Sequence, residues 1–149
     1  IQIFYVQGNR VEAVSVLEPT PVSPQRKMFD LAERIGMVSV SQRLASAIPA
    51  DAALFATLGR GVVTVELGSS PASLLAEDQP LFFAQIVLTA LAPSRQGQVI
   101  FTQYGRPYPA VKADRTVLMP GAPVAWEDYA DLIIGDTQPP VPPVTEPAP

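Results

Sequence analysis

The chain has 149 residues, 48% hydrophobic and 16% charged, with a net charge of −4. That balance fits a single domain with a genuine core and excludes a disordered chain, and the acidic excess gives no footprint for nucleic acid or an anionic lipid surface. Histidine and cysteine are both absent, which excludes, within these residues, a Ser-His-Asp triad, thiolate nucleophiles, disulfides and His- or Cys-based metal sites.

In chain order, "IQIFYVQGNRVEAVSVL" predicts a β-hairpin. Two β-prone runs flank Gly8-Asn9, a pair suited to a tight turn with positive φ. Pro19, Pro21 and Pro24 stop the second strand, because proline cannot donate to a sheet ladder. Ser23-Pro24 reads as a helix start, a Ser cap followed by Pro at the first helical position. Met28, Leu31, Ala32 and Ile35 then form a core-facing stripe, and Gly36 supplies a left-handed stop. "SQRLASAIP" predicts a short further turn of helix, capped by Ser41 and ended at Pro49. "ALFATLGRGVVTVEL" predicts a second hairpin around Gly59-Arg60-Gly61, with Val63, Val65 and Leu67 on one face at period two.

"EDQPLFFAQIVLTALAP" predicts the second main helix. Glu77 and Asp78 suit its positive end, and Pro80 is tolerated in the first turn. From Leu81 to Ala92 the polar side chains are Gln85 and Thr89 alone. A membrane span needs about 20 apolar residues, so this run is too short and reads as a buried helix. At 100° per residue, Gln85 and Thr89 lie about 40° apart, with Phe82 beside Thr89. Such a narrow polar seam means a helix covered on most sides. Gln85 either satisfies backbone groups at a strand end or makes a polar contact with a partner. Phe82 is either core or a binding anchor. Phe82, Gln85 and Thr89 are therefore the candidate interaction residues.

"QVIFTQYGRPYPAV" predicts a strand, a turn at Gly105-Arg106, and a second strand that Pro107 and Pro109 confine to a sheet edge. "AWEDYADLI" predicts a short closing helix, and "PPVPPVTEPAP", with six prolines, an extended tail or linker. The expected fold is α+β, a small mixed or antiparallel sheet of hairpins packed against two main helices, plus a short C-terminal helix. It occupies residues 1–134, and 135–149 form the proline-rich tail.

Little here points to chemistry. Glu127, Asp128 and Asp131 beside Trp126 lack the further ligands and Gly-turned loop of an oxygen cage. They read as acids in the first turn of a short helix, as Glu77-Asp78 do. Gly59-Arg60-Gly61 is hairpin chemistry and not a phosphate loop. No catalytic, cofactor-binding or metal-ligating residue is assigned.

The order of "SAIPADAALFATLGRGVVTVELG" (46–68), "AQIVLTAL" (84–91), "VIFTQYGRPYPAV" (99–111) and the closing "WEDYADLI" resembles the GerM domain, the sporulation and germination domain of bacterial envelope proteins and actinobacterial lipoproteins. The likeness runs over 1–134. Gly36-Met37 departs from a frequent Gly-Pro, and "YGRP" from a frequent acidic residue before the Gly. The resemblance implies two helices on a small sheet, an extracytoplasmic setting, often with a lipid anchor, and binding or assembly in place of catalysis. The partner it implies is another envelope protein or a second copy, and it implies a signal peptide with a lipobox Cys upstream of Ile1. The alternative is a small-ligand or cell-wall-glycan domain using Tyr104, Tyr108 and Trp126. A carboxylate-dependent hydrolase ranks third.

Overall fold

The computed structural model describes residues 1–16, 22–33, 44–49, 53–68 and 71–134. The expectations for Pro19, Pro21, Ile35, Gly36, Ser41 and the 135–149 tail lie outside those residues.

The first hairpin pairs β1 (Gln2–Gln7) with β2 (Arg10–Ser15), in a register that sets Gln7 opposite Arg10. Gly8-Asn9 is thus a two-residue loop, with Gly8 at φ 67°. A separate four-stranded sheet has the order β3-β4-β5-β6. In it β3 (Leu54–Gly59) and β4 (Val62–Leu67) form the second hairpin. Arg60 and Gly61 turn at φ 55° and 77°, the double left-handed geometry that matches the twist of paired strands. Strand β5 (Gln98–Gln103) runs parallel to β4, so the sheet is mixed, and antiparallel to β6 (Arg106–Tyr108). The turn between β5 and β6 falls one residue earlier than expected, at Tyr104 (φ 55°) and Gly105 (φ 73°). Two left-handed positions satisfy that turn, and Arg106 is released into β6. Pro107 sits on the edge strand, where its missing N–H costs no ladder bond.

Helix α1 (Pro24–Glu33) starts as expected, the Arg26 N–H donating to Ser23 Oγ at 3.1 Å. Met28 and Leu31 are fully buried. Helix α2 (Gln79–Leu91) forms the parallel crossover between β4 and β5, and every residue from Pro80 to Leu91 is buried. It packs on β1 and α1 and reaches β5. There Phe83 meets Phe101 edge-on at 4.8 Å and Phe82 at 5.2 Å. The oily run is the central core helix, covered by a hairpin on one side and the mixed sheet on the other. The architecture is α+β, as expected. Among the described residues no helix is long and apolar enough to cross a membrane.

Two local expectations are corrected. Residues 44–49 hold no helical turn; Ala45 and Val6 exchange two backbone bonds of 2.8 Å. The outward N–H and C=O of Val6 need partners, and an extended segment supplies them where a helical one would not. The closing helix is two 3-10 turns, Trp126–Asp128 and Ala130–Leu132. Tyr129, at φ −129° and ψ 0°, breaks it, because its buried phenol is drawn to Val111 O at 2.8 Å. Burial, with Asp128 nearby, pushes that phenol's pKa far up, so it stays a donor.

Candidate functional site

The polar seam of α2 is spent inside the fold. Phe82 is 1% exposed, and Gln85 and Thr89 are 0% exposed. The Phe4 N–H donates to Thr89 Oγ1 at 3.0 Å, and Gln85 Nε2 donates to Phe4 O at 3.1 Å. Gln85 Oε1 accepts from the Ala47 N–H at 2.7 Å, and Nε2 also reaches Ser46 Oγ at 3.1 Å. One turn of helix thus presents an acceptor and a donor to both backbone groups of one strand residue. With the Ala45 bridge to Val6, this satisfies the Phe4 and Val6 backbone groups on the edge of β1 that faces away from β2. Of the two readings of Gln85, the structure has the backbone one. Phe82, Gln85 and Thr89 face no solvent from which a partner would reach them, and the expectation that this seam is a contact surface is corrected.

The same device recurs where sequence reasoning missed it. Gln25, at the start of α1, accepts from the Ala56 N–H at 2.6 Å and donates to Leu54 O at 3.2 Å. Its side-chain amide covers part of the β3 edge. Nothing in the local sequence marks it, since its partners lie about thirty positions away.

The aromatic candidates do not converge. Trp126 is 7% exposed, edge-on to Phe4 at 5.7 Å with the Arg95 guanidinium 5.0 Å over its ring. Tyr108 leans toward Phe83 in the core, 6.4 Å between centroids. Tyr104 is 82% exposed in the β5–β6 turn. Val99 pairs with Val124 near the start of β5, so Trp126 and Tyr104 lie at opposite ends of that strand. The acids also serve locally. Asp128 accepts from the Ala125 N–H at 2.8 Å and pairs with Lys112 at 3.3 Å. At Asp131 it is the main-chain carbonyl, and not the carboxylate, that accepts from Arg10. Glu77 and Asp78 line a cleft of about 270 Å³ with Asn9 and Arg115, which mixes charges and converges on nothing. Among the described residues no cluster of three His, Cys, Asp or Glu side chains is arranged to hold a metal.

What remains is the outer face of the mixed sheet. Period two puts Val63, Val65 and Leu67 inward, all buried, and Val62, Thr64 and Glu66 outward, all half-exposed. The register carries this face sideways. Phe55 lies opposite Glu66, Thr57 opposite Thr64, and Ile100 and Thr102 beside Thr64 and Glu66 on β5. Phe55 is 57% exposed, and no described element packs over it. Glu66 is the face's one carboxylate. It accepts from Thr102 Oγ1 and from the Tyr104 and Gly105 N–H groups at 2.7 and 3.4 Å. The Thr102 hydroxyl, then those two N–H groups, hold its pKa below the ordinary carboxylate value. The face is flat, β-branched, charge-poor and pinned at one corner. The alternation in "VVTVEL" was the signal for it, but alternation does not say whether a second layer covers the outward residues.

No family model, curated protein or solved structure matches the chain.

Proposed function

We propose that this chain is a non-enzymatic module of the cell envelope, working outside the cytoplasm, that binds another protein or a second copy of itself. The observation that carries the reading is the outer face of the mixed sheet, which no described element covers, an aromatic and β-branched surface with one carboxylate. Exposed patches of this kind mark interaction sites more often than chemistry. A chain without histidine or cysteine also lacks the usual means of acid–base and nucleophilic catalysis near neutral pH. The envelope setting, with a lipid anchor upstream, rests on the resemblance to the GerM domain. A photo-crosslinking residue at Thr64, with Val117 as the control position, tests it in envelope preparations. A protein adduct from Thr64 and none from Val117 supports the module; adducts from neither position overturn it.

One observation favours a second reading. Trp126, Arg95, Gln2 and Glu12 line a cleft of about 350 Å³, and an aromatic beside polar groups suits a small polar ligand or a glycan. Retention of the chain on a cell-wall-glycan matrix, lost in Glu12→Ala, would select it.

A further inference from the structure

We infer that the outer face of the mixed sheet is the contact between two copies of this chain. The copies stack about a two-fold axis that lies between the faces and crosses the strands at Thr57, Thr64 and Ile100. This rests on the interaction-module reading and names its partner.

A two-fold contact requires a patch that matches its own reversal. The axis runs each strand antiparallel over its own copy, so residues equally distant from the axis meet. Phe55 then stands over the second copy's Gly59. A Cβ built on Gly59 meets nothing within 4 Å, so that position leaves open space for the facing ring. Thr57 and Thr64 fall on their own copies, which hydroxyls tolerate because each both donates and accepts.

Charge selects this orientation. Glu66 sits at one end of the face, and Arg60, in the β3–β4 turn, at the other. Among the described residues Arg60 has no ion-pair partner. Reversal sets each Glu66 over the second copy's Val62, within reach of its Arg60, and makes two symmetric pairs. An axis along the strands would instead set Glu66 near Glu66 and Arg60 near Arg60, and like charges at a contact are strongly disfavoured. The two sheets would lie about 10 Å apart, a distance that the Arg60 and Glu66 side chains bridge together.

The patch is small. Three full strands about 4.8 Å apart and about 20 Å long give on the order of 300 Å² per copy. That is less than half of the roughly 800 Å² per partner of a standard interface and implies a weak, reversible dimer that forms only toward high protein concentration.

Sedimentation equilibrium of the 149-residue chain from about 10 µM to about 1 mM tests it. Monomer and dimer in exchange are expected. Arg60→Glu and Glu66→Arg should each weaken the dimer about tenfold, and the double variant should recover to within about threefold of the parent. Thr64→Lys, which sets two ammonium groups together at the axis, should abolish it. Circular dichroism confirms folding, and Arg60→Glu, in an exposed turn, keeps the test valid if Thr64→Lys unfolds. A monomer at the top concentration, a dimer indifferent to folded Thr64→Lys, or failure of the charge swap to recover association each overturns the inference. A monomer that still gives a different protein's adduct from Thr64 overturns the second copy alone and leaves the module reading standing.

Discussion

Replacing Gln85 with methionine keeps the length of the side chain and removes its hydrogen bonds. Two backbone groups then lose partners: Phe4 O, which is buried, and the Ala47 N–H, which is half-buried. A buried polar group left unpaired costs about 1–3 kcal/mol, and one that water can reach costs less. Ser46 Oγ keeps its bond from the Ile48 N–H, so it adds little. The sum is about 2–3 kcal/mol, a large fraction of the roughly 5–15 kcal/mol that holds a domain together. With a urea m-value of about 2 kcal/mol/M, the midpoint should fall by about 1 M at unchanged m. Gln85→Ala should fall further, because it also leaves a cavity beside the core. Equilibrium urea unfolding, followed by Trp126 fluorescence and far-ultraviolet circular dichroism, measures both. A Gln85→Met midpoint within about 0.3 M of the parent would refute the claim that this side chain serves as the missing neighbour of β1.

Thr89→Val is the companion change, nearly equal in volume, and leaves the Phe4 N–H unpaired; a loss of about 1–3 kcal/mol in the same assay is expected. Phe82→Ala empties a site 1% exposed and should cost about 3–5 kcal/mol; a stable Phe82→Ala domain would show that the ring does not support the core. Glu66 has a folded pKa lowered from 4.5, so its stabilising contribution is present above that value and is lost as pH falls through the folded pKa. Glu66→Gln should therefore be less stable than the parent at pH 7 and equal to it at the acid end, and an equal gap at both pH values would count against the clamp. The coding sequence upstream of Ile1 should specify a signal peptide with a lipobox Cys, and a start Met directly before Ile1 would remove that part of the proposal.

The features legible in the sequence were those set by neighbours in the chain. Gly8-Asn9, Arg60-Gly61, Ser23-Pro24 and the Pro107 edge each follow from backbone chemistry within a few residues. The apolar surround of α2 was equally plain, because a helix with a two-residue seam has nowhere to be except inside. What the seam touches was not legible. Gln85 and Thr89 answer to Phe4, 81 and 85 positions away, and a seam for a strand edge looks in sequence like a seam for a partner. Residues 44–49 and the closing segment failed for the same reason. Val6 pulled the first into an extended path, and Val111 drew the Tyr129 phenol out of helical register. The sheet's outer face was half legible: its alternation was visible, but not whether anything lay above it.

The bonds from Phe4 to Gln85 and Thr89 also set an order of events when the chain is made. The hairpin β1–β2 needs only residues 2–15 to pair, yet its outer edge stays open until α2 has formed. Until their partners arrive, Phe4 and Val6 offer unsatisfied amides and carbonyls to any extended segment nearby, including the same hairpin on a neighbouring chain. Ala45 reaches Val6 first and shortens the exposed edge by one residue pair; Phe4 waits for the helix. A fragment ending before Thr89 should therefore be captured by a holdase through residues 1–7, and the full domain should not.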